Sequence, residues 1–190
     1  QMCIRDRYRV SKENNVYAAK VLSETYILDE FKNEQNRITR EIDVLKNVKG
    51  ENLIKYQEDF YFKNEFGIME YVIVMEYFQG RTLRSFLKND VELETLIRIF
   101  VSVLYGVRDL HNTIIENAGI IHRDLKPDNI MIDDNLNVKI IDYGLSKIID
   151  FSSITSTGTQ IGSPLYMSPE QLKDSKHIDY SCLLYTSDAA

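Results

Sequence analysis

The sequence predicts an α+β fold built as two lobes, and three observations carry that reading. Strand-like alternation with one amphipathic helix fills the first eighty residues, helical periodicity dominates after Gly80, and a polar Gln79-Gly80 step separates the two regimes. With 190 residues, 44% of them hydrophobic, the chain is long enough to bury a substantial core.

The elements follow in order. Tyr8 to Leu22 reads as two short strands around the polar turn Lys12-Glu13-Asn14-Asn15. From about Leu28 to Val48, Ile38, Ile42 and Leu45 recur at helical spacing among charged residues, and Asn47 and Gly50 suit a helix end. Strands are expected at Tyr56–Phe62 and Tyr71–Met75, joined by a polar link containing Gly67. Helices are expected at Thr82–Leu87 and Leu93–His111, the second with Leu96, Ile99, Phe100, Val103, Val107 and Leu110 on one stripe. Short strands at Ile130–Ile132 and Val138–Ile141 flank the turn Asp133-Asp134-Asn135. Ser146 to Met167 is a polar stretch rich in Ser and Thr, longer than a loop without function usually is.

The charge balance, 23 basic against 29 acidic residues, argues against a nucleic-acid or anionic-membrane surface. No apolar run approaches the roughly 18 residues of a membrane span, and no signal peptide is visible, so a cytoplasmic setting is expected, alone or as the cytoplasmic part of a membrane-attached protein.

Both cysteines sit in unusual terminal strings, Cys3 within MCIRDR and Cys182 within CLLYTSDAA. Back-translated, CLLYTS gives TGTCTCTTATACACATCT, whose reverse complement read from its third base encodes Met-Cys-Ile-Arg-Asp. One DNA element read on opposite strands thus accounts for both ends, and it resembles the transposase mosaic-end adapter of sequencing libraries. Residues 1–7 and 182–190 are therefore read as adapter-encoded, leaving 8–78 and 79–181 as partial lobes without a cysteine.

Phosphoryl transfer needs a cation on the nucleotide phosphates, oxygen ligands for Mg²⁺, and a carboxylate aimed at the attacking hydroxyl. The run His122-Arg123-Asp124-Leu125-Lys126-Pro127-Asp128-Asn129, followed by Asp142-Tyr143-Gly144, offers residues for the last two. Here the chain resembles the eukaryotic-type (Hanks-type) serine/threonine protein kinase family, whose catalytic-loop pattern HRDLKPDN fills. The resemblance runs through VYAAK, the helix around Glu41, MEYF, HRDLKPDN, DYG and GSPLYMSPE. It implies a bilobal protein-kinase-like fold, with an antiparallel sheet and one helix in the N-lobe and a partial helical C-lobe.

The resemblance implies a role for each matching residue. Lys20 would touch the ATP α- and β-phosphates and Glu41 would pair with it. Asp124 would accept the proton of the substrate hydroxyl, with Lys126 beside the transferring phosphate, and Asn129 and Asp142 would hold Mg²⁺. Met75 would be the gatekeeper, Glu76 and Phe78 would pair with adenine through their backbones, and Ala18 and Met131 would sandwich it. Ser163 would accompany Lys126 at the docking of a protein Ser or Thr. Arg123 would pair with a phosphate on Thr159, with Thr155, Ser156 and Thr157 as further candidates. His122 reads as a packed residue that stacks with Leu45 and Tyr143, and His111 and His177 as core edge and surface with no metal role.

Tyr143 stands where the family usually has Phe, Ser168 replaces the usual Ala, and Gln171 leans toward kinases of bacterial origin. The glycine-rich phosphate loop would precede Tyr8, and the later helices that bury Leu104 and Val107 would follow Ser181. Exposing such surface costs about 25 cal/mol per Å², so this polypeptide alone is expected to fold poorly and be inactive. A pseudokinase binding module and a kinase-like small-molecule phosphotransferase stand as alternatives. The intact catalytic positions weigh against the first and GSPLYMSPE against the second.

Overall fold

The computed structural model describes residues 6–23, 37–115, 118–120, 122 and 124–142, which divide between two compact units. Residues 48–53 group with the second unit although they precede the last two strands of the first.

In the first unit, β1 (Asp6–Lys12) and β2 (Asn15–Ser23) form a hairpin whose last pair is Lys12 with Asn15. Its turn residues Glu13 and Asn14 have φ of 50° and 69°, the left-handed geometry that matches the right-handed twist of a two-residue hairpin. Asn tolerates that conformation better than most residues, which explains the turn seen in the sequence. Helix α1 (Arg37–Asn47) buries Ile42 and Leu45 and ends with the Asn47 side-chain amide donating to the Asp43 carbonyl at 2.7 Å. The first part of the helix expected from Leu28 lies outside the described residues.

Strands β3 (Tyr56–Lys63) and β4 (Met69–Glu76) complete an antiparallel sheet in the order β1-β2-β4-β3. Their link is closed by Asn64, whose side-chain oxygen accepts from the amides of Phe66 and Ile68 at 3.1 and 3.0 Å. Gly67, with φ of 77°, supplies the turn that a side chain would strain. Strand β4 buries Tyr71, Val72, Ile73 and Val74 in succession, so both faces of this central strand are covered. Ala19, Val72 and Val74 make a cluster on one face, with Tyr17 and Val21 against it. The opposite face therefore carries Ala18, Lys20, Leu22, Ile73 and Met75.

In the second unit, Thr82 caps the short helix α2 (Leu83–Phe86), its hydroxyl accepting from the Ser85 amide at 3.2 Å. Before it, β5 (Arg81–Thr82) pairs with β8 (Ile130–Ile132), which pairs in turn with β9 (Val138–Ile140). Helix α3 (Leu93–Asn112) buries Ile99, Val103, Gly106, Val107 and Leu110, and β6 (Ile114–Ile115) and β7 (Ala118–Gly119) form a small hairpin after it. The turn between β8 and β9 is organised by Asp133, whose Oδ1 accepts from the amides of Asn135 and Asn137 at 2.9 and 2.8 Å.

Two expectations about α3 change. Phe100 is 51% exposed rather than on the buried stripe, because it lies roughly 100° round the helix from Ile99, which takes the inward position. Val107 is buried within this chain, whereas Leu104 is half-exposed. The helix carries a second apolar stripe of Leu93, Ile97, Phe100 and Leu104, all exposed. Among the described residues no helix is long and apolar enough to cross a membrane.

Candidate active site

The segment from His122 to Asn129 has little regular structure, so its shape depends on specific bonds. The Asp124 amide donates to the His122 carbonyl at 2.9 Å and lies 3.3 Å from His122 Nδ1. Pro127 opens a 3₁₀ turn (Pro127–Asn129), where its missing N–H costs nothing, and the Asn129 amide donates to the Lys126 carbonyl at 2.9 Å. The buried Asn129 side chain donates from Nδ2 to both the Asp124 carbonyl, at 2.8 Å, and Asp124 Oδ2, at 3.0 Å. Lys126 Nζ reaches the same Oδ2 at 2.7 Å. Asp124, Lys126 and Asn129 are thus brought together as one hydrogen-bonded group.

The Asn129 carbonyl accepts from the Ile141 amide at 2.8 Å, which draws the end of β9 against the 3₁₀ turn and sets Asp142 one residue away. Asp142 has φ of 64°, a left-handed conformation that costs a non-glycine residue free energy and is usually retained where geometry matters. With Asn129 Nδ2 committed to Asp124, its side-chain oxygen is the atom left to offer a cation. An amide oxygen and the Asp142 carboxylate are hard donors, the set that suits Mg²⁺ with several waters retained. No group of three or more His, Cys, Asp or Glu gathers for a metal among the described residues.

Beneath the loop, Asn52 donates from Nδ2 to the Val138 carbonyl at 3.1 Å and accepts from the Ile140 amide at 2.8 Å. Lys139 Nζ reaches the Leu53 carbonyl at 3.2 Å, so residues 52–53 clamp β9 from outside the β8–β9 hairpin. Arg84 on α2 holds Asp128 through Nε at 2.7 Å. Its hydrogen bond is the main reason the Asp128 carboxyl lies below the usual carboxylate range, partly opposed by burial. Neither Arg84 nor Asn52 is signalled by any motif, since each meets its partner far along the chain.

His122 is fully enclosed, and loss of solvent pushes its pKa down to about 4 although the nearby Asp124 charge acts the other way. A neutral, buried ring that accepts from a backbone amide is a structural residue, as expected. Leu45 is likewise buried, in the first unit.

In the first unit, Ala18 pairs directly with Met75, and Lys20 with Ile73, so Ala18, Lys20 and Met75 share one sheet face. Lys20 is fully buried, and an ammonium so placed requires compensating negative charge. Glu41 stands on α1 in the same unit, with its side chain outside the described ones. The start of the segment after β4 is pinned at Glu76, whose amide donates to the Lys55 carbonyl at 2.9 Å and whose Oε1 accepts from the Lys55 amide at 3.0 Å. Phe78 is half-buried two residues further on, and Met131, half-buried on β8, belongs to the second unit. Arg123, Tyr143, Thr159, Ser163, Ser168 and His177 lie outside the described residues.

Comparison with known proteins matches residues 7–186 to the protein kinase domain family. A probable serine/threonine-protein kinase of Clostridium perfringens is 34% identical over 188 residues, 94% of this chain and 24% of its own length. The serine/threonine-protein kinase pkn3 of Myxococcus xanthus is 34% identical over 94% of this chain and 32% of its own length. The probable serine/threonine-protein kinase nek2 of Dictyostelium discoideum is 30% identical over 80% of this chain and 38% of its own length. The chain therefore spans between about a quarter and two fifths of these relatives.

Proposed function

The chain belongs to the protein kinase domain family, and on that premise we propose that it is the catalytic part of a serine/threonine kinase that moves the γ-phosphoryl group of ATP to protein Ser or Thr hydroxyls. The observation that carries this reading is the group formed by Asp124, Lys126 and Asn129, in which a carboxylate oxygen is fixed by an ammonium at 2.7 Å and an amide at 3.0 Å. A carboxylate held so rigidly can accept the proton of an incoming hydroxyl without reorganising. Lys126, beside it, balances negative charge as the phosphoryl group moves. Asn129 and Asp142 hold Mg²⁺, which when bound with ATP neutralises charge on the phosphate oxygens.

Lys20 contacts the α- and β-phosphates and Glu41 pairs with it, supplying the negative charge that a buried ammonium needs. The adenine contacts are the backbone of Glu76 and Phe78, with Met75 as gatekeeper and Ala18 and Met131 as apolar faces. Ser163 accompanies Lys126 at the substrate hydroxyl. A phosphate on Thr159, paired with Arg123, orders the segment that carries it.

The test is transfer of labelled phosphate from Mg-ATP to Ser/Thr peptides by the intact protein that contains this chain, beside an Asp124→Asn variant. Loss of about 10²–10⁴-fold in kcat is expected, the usual contribution of a general base. Equal transfer by the variant would remove Asp124 from its role. ATP binding by the intact protein without transfer to any peptide would instead make it a binding module.

A further inference from the structure

Away from that group, the first unit contains a second cluster of ionisable side chains that the proposed chemistry does not use. Asp59, on β3, lies at its centre. Lys46, in the last turn of α1, places Nζ 2.7 Å from Asp59 Oδ1. The Tyr56 hydroxyl donates to the same oxygen and the Tyr71 hydroxyl, from β4, donates to Oδ2. Lys46 also stands 5.3 Å from the centre of the Tyr56 ring, and the rings of Tyr71 and Tyr61 are 4.7 Å apart. Three elements thus converge on one carboxylate that is only 17% exposed.

The physics favours a directional lock. Burial disfavours an ionised Asp59, but the bonds from Lys46, Tyr56 and Tyr71 outweigh it and its carboxyl stays below the usual range. The Asp59 hydrogen bond is also the main reason that Lys46 is held above its usual value. Among the described side chains of α1, Ile42 and Leu45 are buried, but that burial is apolar and non-directional, so it resists separation better than rotation or sliding. A charge-assisted bond at one end of the helix supplies what those contacts lack.

We propose that Asp59 is a positioning residue: itself fixed by the Tyr56 and Tyr71 bonds, it holds Lys46 and so sets the rotation and axial position of α1 and therefore of Glu41. Glu41 stands five residues before Lys46, roughly 7.5 Å along the axis, so a small turn at one end is felt at the other. The inference rests on the pairing of Glu41 with Lys20 proposed above. Asp59 touches neither nucleotide nor substrate on this reading, and acts through the helix.

The experiment uses the intact protein with Asp59→Asn, Lys46→Met and Glu41→Gln, singly and combined, followed by steady-state kinetics in ATP. Asp59→Asn and Lys46→Met should each lower kcat by about tenfold, within the range of couplings between sites, with a smaller change in KM. Either should cost little more in a Glu41→Gln background, because the effect passes through Glu41. Val72→Ala, a core truncation in the same unit, should lower the melting temperature with kcat retained below the transition. Lys46→Met keeps both tyrosine bonds and serves if Asp59→Asn does not fold. Kinetic effects that add fully to Glu41→Gln, or an unchanged kcat in Lys46→Met, would overturn the inference while leaving Glu41 in place. Normal activity in Glu41→Gln would overturn the underlying pairing and the inference together.

Discussion

The ammonium of Lys126 lies 2.7 Å from Oδ2 of Asp124, with both side chains largely shielded from water at 18% and 22% exposure. Such a pair fixes the direction of the carboxylate and, on the function proposed above, leaves a cation where phosphoryl charge would develop. Replacing Lys126 with Met keeps the stem and removes the charge. The expected outcome is a fall in kcat of about 10²–10³-fold, the usual cost of losing one preorganised electrostatic group, with a smaller change in KM for ATP. Steady-state kinetics decide it; a variant with unchanged kcat would take Lys126 out of the chemistry.

The bond between Arg84 and Asp128, also 2.7 Å long, should behave differently because its partners are 48% and 41% exposed. Solvent screens such a pair, so Arg84→Ala should cost no more than about 1 kcal/mol at neutral pH. The folded-state pKa of Asp128 is depressed, chiefly by this bond. Its stabilisation is therefore present above the unfolded pKa and lost as pH falls through the lower folded one. Urea melts of the intact protein and the variant should converge in acid and in molar salt. A gap that persists in both conditions would show that Arg84 acts through packing.

Local signals account for what was legible in the sequence. The hairpin turn around Glu13-Asn14 is written in residues that solve a nearby backbone problem, whereas Thr82, read as the first residue of a helix, proves to be its cap. The eight-residue run around Asp124 was readable through its resemblance to the protein kinase family, and in the structure its bonds link residues two to five positions apart. Contacts made at long range left no such trace. Arg84 meets Asp128 across 44 positions and Asn52 meets Val138 across 86. The periodicity of α3 revealed apolar stripes without saying which one faces inward, and Phe100 was misplaced for that reason. Asp59 was invisible as well, since its three donors come from three elements.

Gly106 tests how tightly α3 sits on the strands beneath Asp142. A Cβ there would stand 2.8 Å from Ile140 Cδ1 and 3.2 Å from both Cβ and the carbonyl oxygen of Asn52. The Ile140 methyl can rotate aside, but Asn52 is held at both its amide and its carbonyl. Ala gains about 1 kcal/mol over Gly in a helix interior, whereas overpacking costs about 1–3 kcal/mol. Gly106→Ala should therefore be destabilising on balance, read as a lower melting temperature. A rise in melting temperature would mean that the clamp formed by residues 52–53 yields easily.

His122 gives the protein a pH dependence whose sign can be worked out. Its folded pKa is depressed from 6.5 to about 4, first by enclosure, with the Asp124 charge and the backbone of His122 and Ile141 pulling partly back. Between those values the unfolded chain binds a proton that the folded chain refuses, so acid favours unfolding. The stabilisation is complete above pH 6.5 and falls by about 1.4 kcal/mol per pH unit, roughly 3 kcal/mol by the time pH 4 is reached. Replacing His122 with Phe keeps a ring in the enclosure and removes the titrating group. Whatever its absolute stability, that variant should lose about 1.4 kcal/mol per pH unit less than the parent between pH 6 and pH 5 in urea unfolding. Parallel curves for the two proteins would mean that the imidazole takes up its proton without leaving the folded state.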